Sequence, residues 1–180
     1  AELQKQFPHS GRLLVVCGKG NNGGDGFVIT RAAAKDGWNV TVLLAEGEPK
    51  TIDAIRNFER LHSLPVHICA DGSVLETQSF AAVVDALYGT GFHGELRPSG
   101  LAACGLLRCL HNGGAFVLAV DLPSGINTDT GEVAEGAAHA DLTVTFDSYK
   151  PLHMAEASAP LCGKIVCADI GIRDEWHPEF

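Results

Sequence analysis

A chain of 180 residues that is 46% hydrophobic suits one domain with a sizeable core. Its formal charge of −9 excludes a nucleic-acid groove or an acidic membrane surface as the natural partner. No apolar run nears the roughly 20 residues that span a bilayer and no secretory leader opens the sequence, so a soluble, cytoplasmic protein is expected.

Residues 1–10 are polar and read as the end of a helix that begins upstream. Leu13 to Cys17 is a short apolar run bounded by glycine, hence a buried strand. It leads into Gly18-Lys19-Gly20-Asn21-Asn22-Gly23-Gly24-Asp25-Gly26, where glycines permit backbone shapes closed to other residues. From about Gly24 to Asp36 the pattern turns helical, with Phe27, Val28, Arg31, Ala32 and Lys35 near 3.6-residue spacing and Gly37 as the C-cap. Strand, glycine loop and helix aim backbone N–H groups at one point, a geometry that binds anions and above all phosphate. Gly18-x-Gly20-x-x-Gly23 also meets the dinucleotide fingerprint, and Glu46 closes the next strand where a ribose-binding acid would sit. Asp25 would compete there with a pyrophosphate; it either caps the helix or serves a ligand. Asn21 and Asn22 tolerate left-handed turns and also offer polar atoms to a ligand or a hard cation.

Asn39 to Ala45 is a second strand, and Thr51 to Ser63 is helical through Ile52, Ile55, Phe58, Glu59, Leu61 and His62. After Pro65 come a third strand, Val66 to Cys69, and a turn with a short helix from Asp71 to Gln78. Ala81 to Leu87 is a fourth buried strand, followed by the loop from Tyr88 to Glu95. Ser99 to His111 is a helix with Leu101, Leu106, Leu107 and Leu110 on its apolar side. Ala115 to Val120, Asp141 to Phe146 and Lys164 to Ile170 complete the strands. The six cysteines (Cys17, Cys69, Cys104, Cys109, Cys162, Cys167) form no C-x-x-C pair, and the eight histidines show no paired ligand spacing. Reduced thiols are therefore favoured over disulfides, and a transition-metal site is not expected.

Alternating strands and helices predict a doubly wound, Rossmann-like α/β sandwich of three layers around a mostly parallel sheet. In such a sheet the loops after the strands share one edge, where ligands bind. Four chemically loaded segments come directly after apolar strands: Gly18–Asp25, Asp85–Glu95, Asp121–Gly125 and Ser148–Lys150. Asp85 and Asp121 sit at strand ends, where a charge is costly unless something needs it. One could bind a cation while the other moves protons; each could instead cap the adjoining loop. Asn22, Asp85 and Ser124 form an all-oxygen donor set suited to a hard cation. Gly89-Thr90-Gly91 and Gly94 could cradle phosphate. Lys150 could neutralise phosphate, assist a proton donor, or be a solvated surface lysine. Tyr88, Phe92 and Tyr149 could stack on a ring or simply pack.

Four ordered motifs carry a resemblance. Asn21-Asn22-Gly23-Gly24-Asp25-Gly26, Val84-Asp85-Ala86-Leu87-Tyr88-Gly89-Thr90-Gly91, Asp121-Leu122-Pro123-Ser124-Gly125, and Thr143-Val144-Thr145-Phe146 running to Lys150 resemble the YjeF N-terminal domain family. The match extends from about Arg12 to Ile172. The resemblance implies an NAD(P)HX epimerase, which interconverts the R and S forms of hydrated NADH or NADPH so that an S-specific dehydratase can restore the cofactor. It implies substrate contacts from Asn21, Asn22, Gly23, Gly24 and Asp25, from Gly89, Thr90, Gly91, Phe92, His93, Gly94 and Glu95, and from Asp121. It further implies a potassium ion on Asn22, Asp85 and Ser124, with Asp121 as acid/base assisted by the charge of Lys150. A homodimer is expected, as is a single domain over residues 1–180 with its N-terminal helices truncated and any fused dehydratase beyond residue 180. This chain departs from the family in reading Lys150-Pro151-Leu152-His153 where many members place glycine soon after the lysine. A non-catalytic nucleotide-binding or scaffold module of the same fold is the alternative. An ordinary NAD-dependent oxidoreductase is disfavoured by Asp25 and by the lack of a second substrate domain.

Overall fold

The structure, a computed structural model, describes residues 1–171; the stretch 172–180 of the expected domain lies outside the described residues. Seven strands, β1 (Arg12–Cys17), β2 (Asn39–Leu44), β3 (His67–Cys69), β4 (Ala82–Ala86), β5 (Phe116–Val120), β6 (Leu142–Phe146) and β7 (Lys164–Ala168), form one sheet. Its order is β3-β2-β1-β4-β5-β6-β7, and every neighbouring pair is parallel. The sheet is thus wholly parallel. Among the described residues, four α-helices accompany it: α1 (Glu2–Gln6), α2 (Asn21–Lys35), α3 (Ile52–Glu59) and α4 (Pro98–Asn112).

Strand periodicity divides the core in two. Leu13, Val15 and Cys17 of β1, with Ala82, Val84 and Ala86 of β4, pack on the face covered by Phe27 of α2 and Ala54 of α3. Leu14, Val16 and Val83 face the other way, onto Ala103, Cys104, Leu106, Leu107 and Leu110 of α4. Burial on both faces explains why these strands read as continuous apolar runs. Among the described residues, no helix is long and apolar enough to cross a membrane.

Several local expectations change. α2 begins at Asn21, not Gly24, with Gly20 as its N-cap, so Asp25 lies within the helix and caps nothing. Its buried side is Gly23, Gly24, Gly26, Phe27, Thr30 and Ala33; Val28 is exposed, and Arg31 and Lys35 lie off that side. Leu101 on α4 and Ile52 and Ile55 on α3 are exposed as well. Ala54 is the buried residue of α3, and Phe58 meets Phe27 at 5.1 Å between ring centroids. Lys150 stands four residues past the end of β6, at the start of a 3-10 turn, Pro151–His153. The described cysteines are free, yet Cys109 is exposed and Cys69 and Cys167 are half-buried.

Candidate active site

Chain order makes β1 the turning point: β2 lies on one side of it and β4 on the other. The crevice that opens at such a reversal is where α/β sheets bind ligands. Here it is a cavity of about 580 Å³, bounded by the β1–α2 junction, the loop after β4 and the end of β5.

The glycines of the first wall work by absence of bulk. None of Gly18, Gly20, Gly23 or Gly24 has a positive φ. A Cβ on Gly23 would fall 1.9 Å from the Gly18 carbonyl oxygen, and one on Gly18 would fall 2.0 Å from that of Leu87. Two bare backbones let α2 start hard against β1 and β4, which brings Asn21, Asn22 and Asp25 to the cavity. Gly23 and Gly24 do not line it; they pack against Gly18 and Ala54. No side chain caps α2, which leaves its first-turn N–H groups to a ligand.

The second wall comes from Leu87 to His93 and Glu95, with Arg97 beyond; Gly94 turns the loop at φ 76 without lining the cavity. The Tyr88 and Phe92 rings stack at 5.3 Å between centroids. The Tyr88 hydroxyl donates to Glu46 Oε1 (2.8 Å), and Lys19 Nζ stands 3.8 Å from the same oxygen. Glu46, the ribose-acid candidate, therefore ties the two walls together. His93 Nδ1 meets Asn127 Nδ2 at 3.3 Å, a bridge to the loop after β5.

Two acids end the adjacent strands β4 and β5. Asp85 is fully buried: its Oδ1 accepts from Ser124 Oγ (2.6 Å) and Leu87 N–H (3.2 Å), and its Oδ2 from Ser124 N–H (2.8 Å). Burial pushes its carboxyl above the usual range despite these bonds. Ser124 Oγ in turn accepts from Tyr88 N–H (2.9 Å). Asn22 lies against Gly89, and its carboxamide nitrogen is buried without a partner among the described residues.

Asp121 lines the cavity and adopts φ 69, a left-handed conformation that is unfavourable for an L-residue, though less so for aspartate than for most. Its Oδ1 accepts from Lys150 Nζ (2.5 Å), Thr145 Oγ1 (2.9 Å) and Phe146 N–H (3.5 Å). Lys150 Nζ also donates to Thr145 Oγ1 (2.7 Å) and the Phe146 carbonyl (2.8 Å). These bonds fall on Oδ1, which leaves Oδ2 for a ligand. Across the cavity, Asp25 has much of its surface exposed, but partial desolvation of its carboxyl, then the charge of Asp121, push that carboxyl up.

The structure thus gathers all four segments singled out in the sequence at one rim. Sequence reasoning missed Lys19 and Arg97 as cavity cations, Thr145 as a partner of Asp121, and His153 beneath the pair. Lys19 could have been found as the one cation inside the glycine loop; nothing local marks the others.

A wholly parallel doubly wound sheet, with a cavity at its switch point and a lysine-paired aspartate in the wall, defines a Rossmann-like α/β domain. A family model described as "YjeF-related protein N-terminus" matches residues 2–152, and the chain belongs to that family. The "Bifunctional NAD(P)H-hydrate repair enzyme Nnr" of Coxiella burnetii is 34% identical, with 97% of this chain and 35% of that protein covered. The "NAD(P)H-hydrate epimerase" of Limosilactobacillus fermentum is 34% identical, with coverage of 91% and 76%. That of Pirellula staleyi is 35% identical, with coverage of 89% and 73%. The crystal structure of the yeast protein YNL200c matches with a TM-score of 0.74 at 25% identity, covering 85% of this chain and 68% of that one. The chain spans about a third of the length of the bifunctional relatives.

Proposed function

We propose that this chain is an NAD(P)H-hydrate epimerase, interconverting the R and S forms of hydrated NADH or NADPH. The observation that carries this reading is the Asp121–Lys150 pair in the wall of the switch-point cavity, with one carboxylate oxygen left for substrate. A dinucleotide needs its phosphates held, and the overall charge of the chain opposes that. Lys19, Arg97 and the uncapped start of α2 supply the local compensation. Asn21, Asn22 and Asp25 on one side, and Gly89 to His93 with Glu95 on the other, then hold the substrate, with Tyr88 and Phe92 giving a ring stack beside it.

Inverting C6 requires a bond to that carbon to break and re-form. Asp121 Oδ2 takes the C6 hydroxyl proton as the C6–N1 bond opens to an aldehyde, and passes it to N1. The reverse closure on the other face of the aldehyde returns the proton and gives the other epimer. Lys150, locked by three acceptors, keeps the carboxylate oriented and offsets its charge without blocking Oδ2. Asp25, whose carboxyl is pushed up from the ordinary carboxylate range by burial and then by the charge of Asp121, stands in the same cavity as a second polar contact.

Asn22, Asp85 and Ser124 would hold a potassium ion. The fit rests on their chemistry: a buried carboxylate with no cation beside it among the described residues, a hydroxyl oxygen, and a carboxamide whose oxygen, unlike its unpartnered nitrogen, can coordinate a cation. Bound there, the ion would supply positive charge that orients the loop after β4. The greater length of the bifunctional relatives fits a fused dehydratase, so coupling to an S-specific dehydratase is part of the proposal, as are a homodimer and a cytoplasmic setting. The test is direct. Racemic hydrated NADH is mixed with an S-specific dehydratase, and the R half should be consumed faster than its spontaneous rate when this protein is added. An unchanged rate would reject the activity.

A further inference from the structure

His153 is almost wholly buried and takes no part in the chemistry above. Its ring lies between the backbones of the two residues that do. Lys150 N–H donates to His153 Nδ1 (3.0 Å), and His153 Nε2 lies 3.1 Å from the Asp121 carbonyl oxygen. An acceptor role at Nδ1 and a carbonyl opposite Nε2 fix the ring as the neutral Nε2–H tautomer, donating to Asp121. One imidazole thus grips the main chain of both members of the acid–amine pair. Leu152, beside it, is fully buried with Leu122, Ile126 and Cys162, and the Tyr149 ring meets His153 edge-on at 6.1 Å.

The grip acts where the backbone is least comfortable. Asp121, at φ 69, is bracketed by its N–H donating to the Val144 carbonyl (2.8 Å) and by its carbonyl receiving His153. Remove the second bracket and the residue can relax toward negative φ, which turns its carboxylate away from Lys150 Nζ and the cavity. The 3-10 turn Pro151–His153 puts the imidazole back over Lys150, so a local turn sets a long-range contact with the end of β5.

We propose that His153 is a positioning residue for the epimerisation: it fixes the main-chain geometry that aims Asp121 Oδ2 at the substrate while Lys150 holds Oδ1. The inference rests on the proposed activity and deepens it. A purely structural role, satisfying two buried backbone groups, would change stability and leave the chemistry of the folded enzyme intact.

The experiment compares His153→Leu, His153→Gln and His153→Asn with the unaltered protein in the coupled epimerase assay, alongside thermal unfolding. Gln can reach the Asp121 carbonyl with its amide N–H, as Nε2 does. Asn can accept from Lys150 N–H, as Nδ1 does, but is too short for Asp121. In the folded Leu variant kcat should fall about tenfold to a hundredfold with KM changed by less than about threefold, the signature of misaimed chemistry. Gln should recover most of the loss and Asn little. Imidazole nitrogen NMR of the unaltered protein should show the Nε2–H tautomer. The inference is overturned by an Nδ1–H tautomer, by kcat unchanged in folded variants, or by Gln no better than Leu. If Leu does not fold, Gln against Asn carries the same comparison. Failure of the unaltered protein to epimerise would instead sink the proposed function.

Discussion

The ends of β4 and β5 make an instructive pair. Each places an aspartate at the same rim, on adjacent strands, and their environments are opposite. Asp85 is sealed, satisfied by Ser124 and the Leu87 N–H, and lies in ordinary strand geometry with no cation bonded to it. Asp121 is strained, paired with Lys150 and open to the cavity. A carboxylate whose oxygens are taken up by backbone and hydroxyl donors organises a loop. One held by a single oxygen beside an ammonium is free to do chemistry with the other. Placement makes the difference: Asp85 still belongs to β4 and faces the α4 side, whereas Asp121 lies just beyond β5.

The sharpest way to break the comparison is to neutralise each acid. Asp121→Asn should lower turnover about a thousandfold while nicotinamide dinucleotide affinity stays within a few-fold, read by kcat against titration calorimetry. Asp85→Ala should instead destabilise the fold by about 2–4 kcal/mol in urea unfolding, because it strands the Ser124 and Leu87 donors in the interior. It should also abolish any potassium dependence of the rate. Equal stability losses in the two variants would erase the distinction. Ser124→Ala, which removes a donor to Asp85 and the acceptor of Tyr88 N–H, should lose about 1–2 kcal/mol by the same measurement.

The smallest effect concerns pH. Burial first pushes the His153 ring below its ordinary value near 6.5, and the Lys150 charge adds to this; the Asp121 carbonyl and carboxylate act the other way. A lowered folded value means the unfolded chain binds protons more readily, so the stabilisation is complete above about pH 6.5 and is lost as pH falls through the folded value. The difference in unfolding midpoint between the unaltered protein and His153→Gln should narrow as pH drops below 6.5, and a pH-independent difference would contradict this.

Much of this molecule is legible in its sequence. Short apolar runs such as Leu13–Cys17 and Ala115–Val120 mark buried strands, and alternation with helical patterns forces parallel crossovers. The four loaded segments consequently had to meet at one rim. Pattern and structure part where a helix has one exposed side: Val28, Leu101, Ile52 and Ile55 are apolar yet face solvent, and spacing alone does not say which side meets the sheet. The glycine motif suggests unusual backbone angles, whereas its job is clearance between α2 and the strands.

Strand identity, strand direction and the rim that gathers the polar loops were settled by sequence, because hydrophobic periodicity is a local property. Which acid is sealed and which is armed was settled only by tertiary structure. Lys150 reaches Asp121 from 29 positions away and Ser124 reaches Asp85 from 39, contacts created by strand order. His153 closes the set from 32 positions beyond Asp121, through a backbone carbonyl that no side-chain pattern announces. Partnership at such separations depends on how the sheet is wound, and no stretch of chain encodes that by itself.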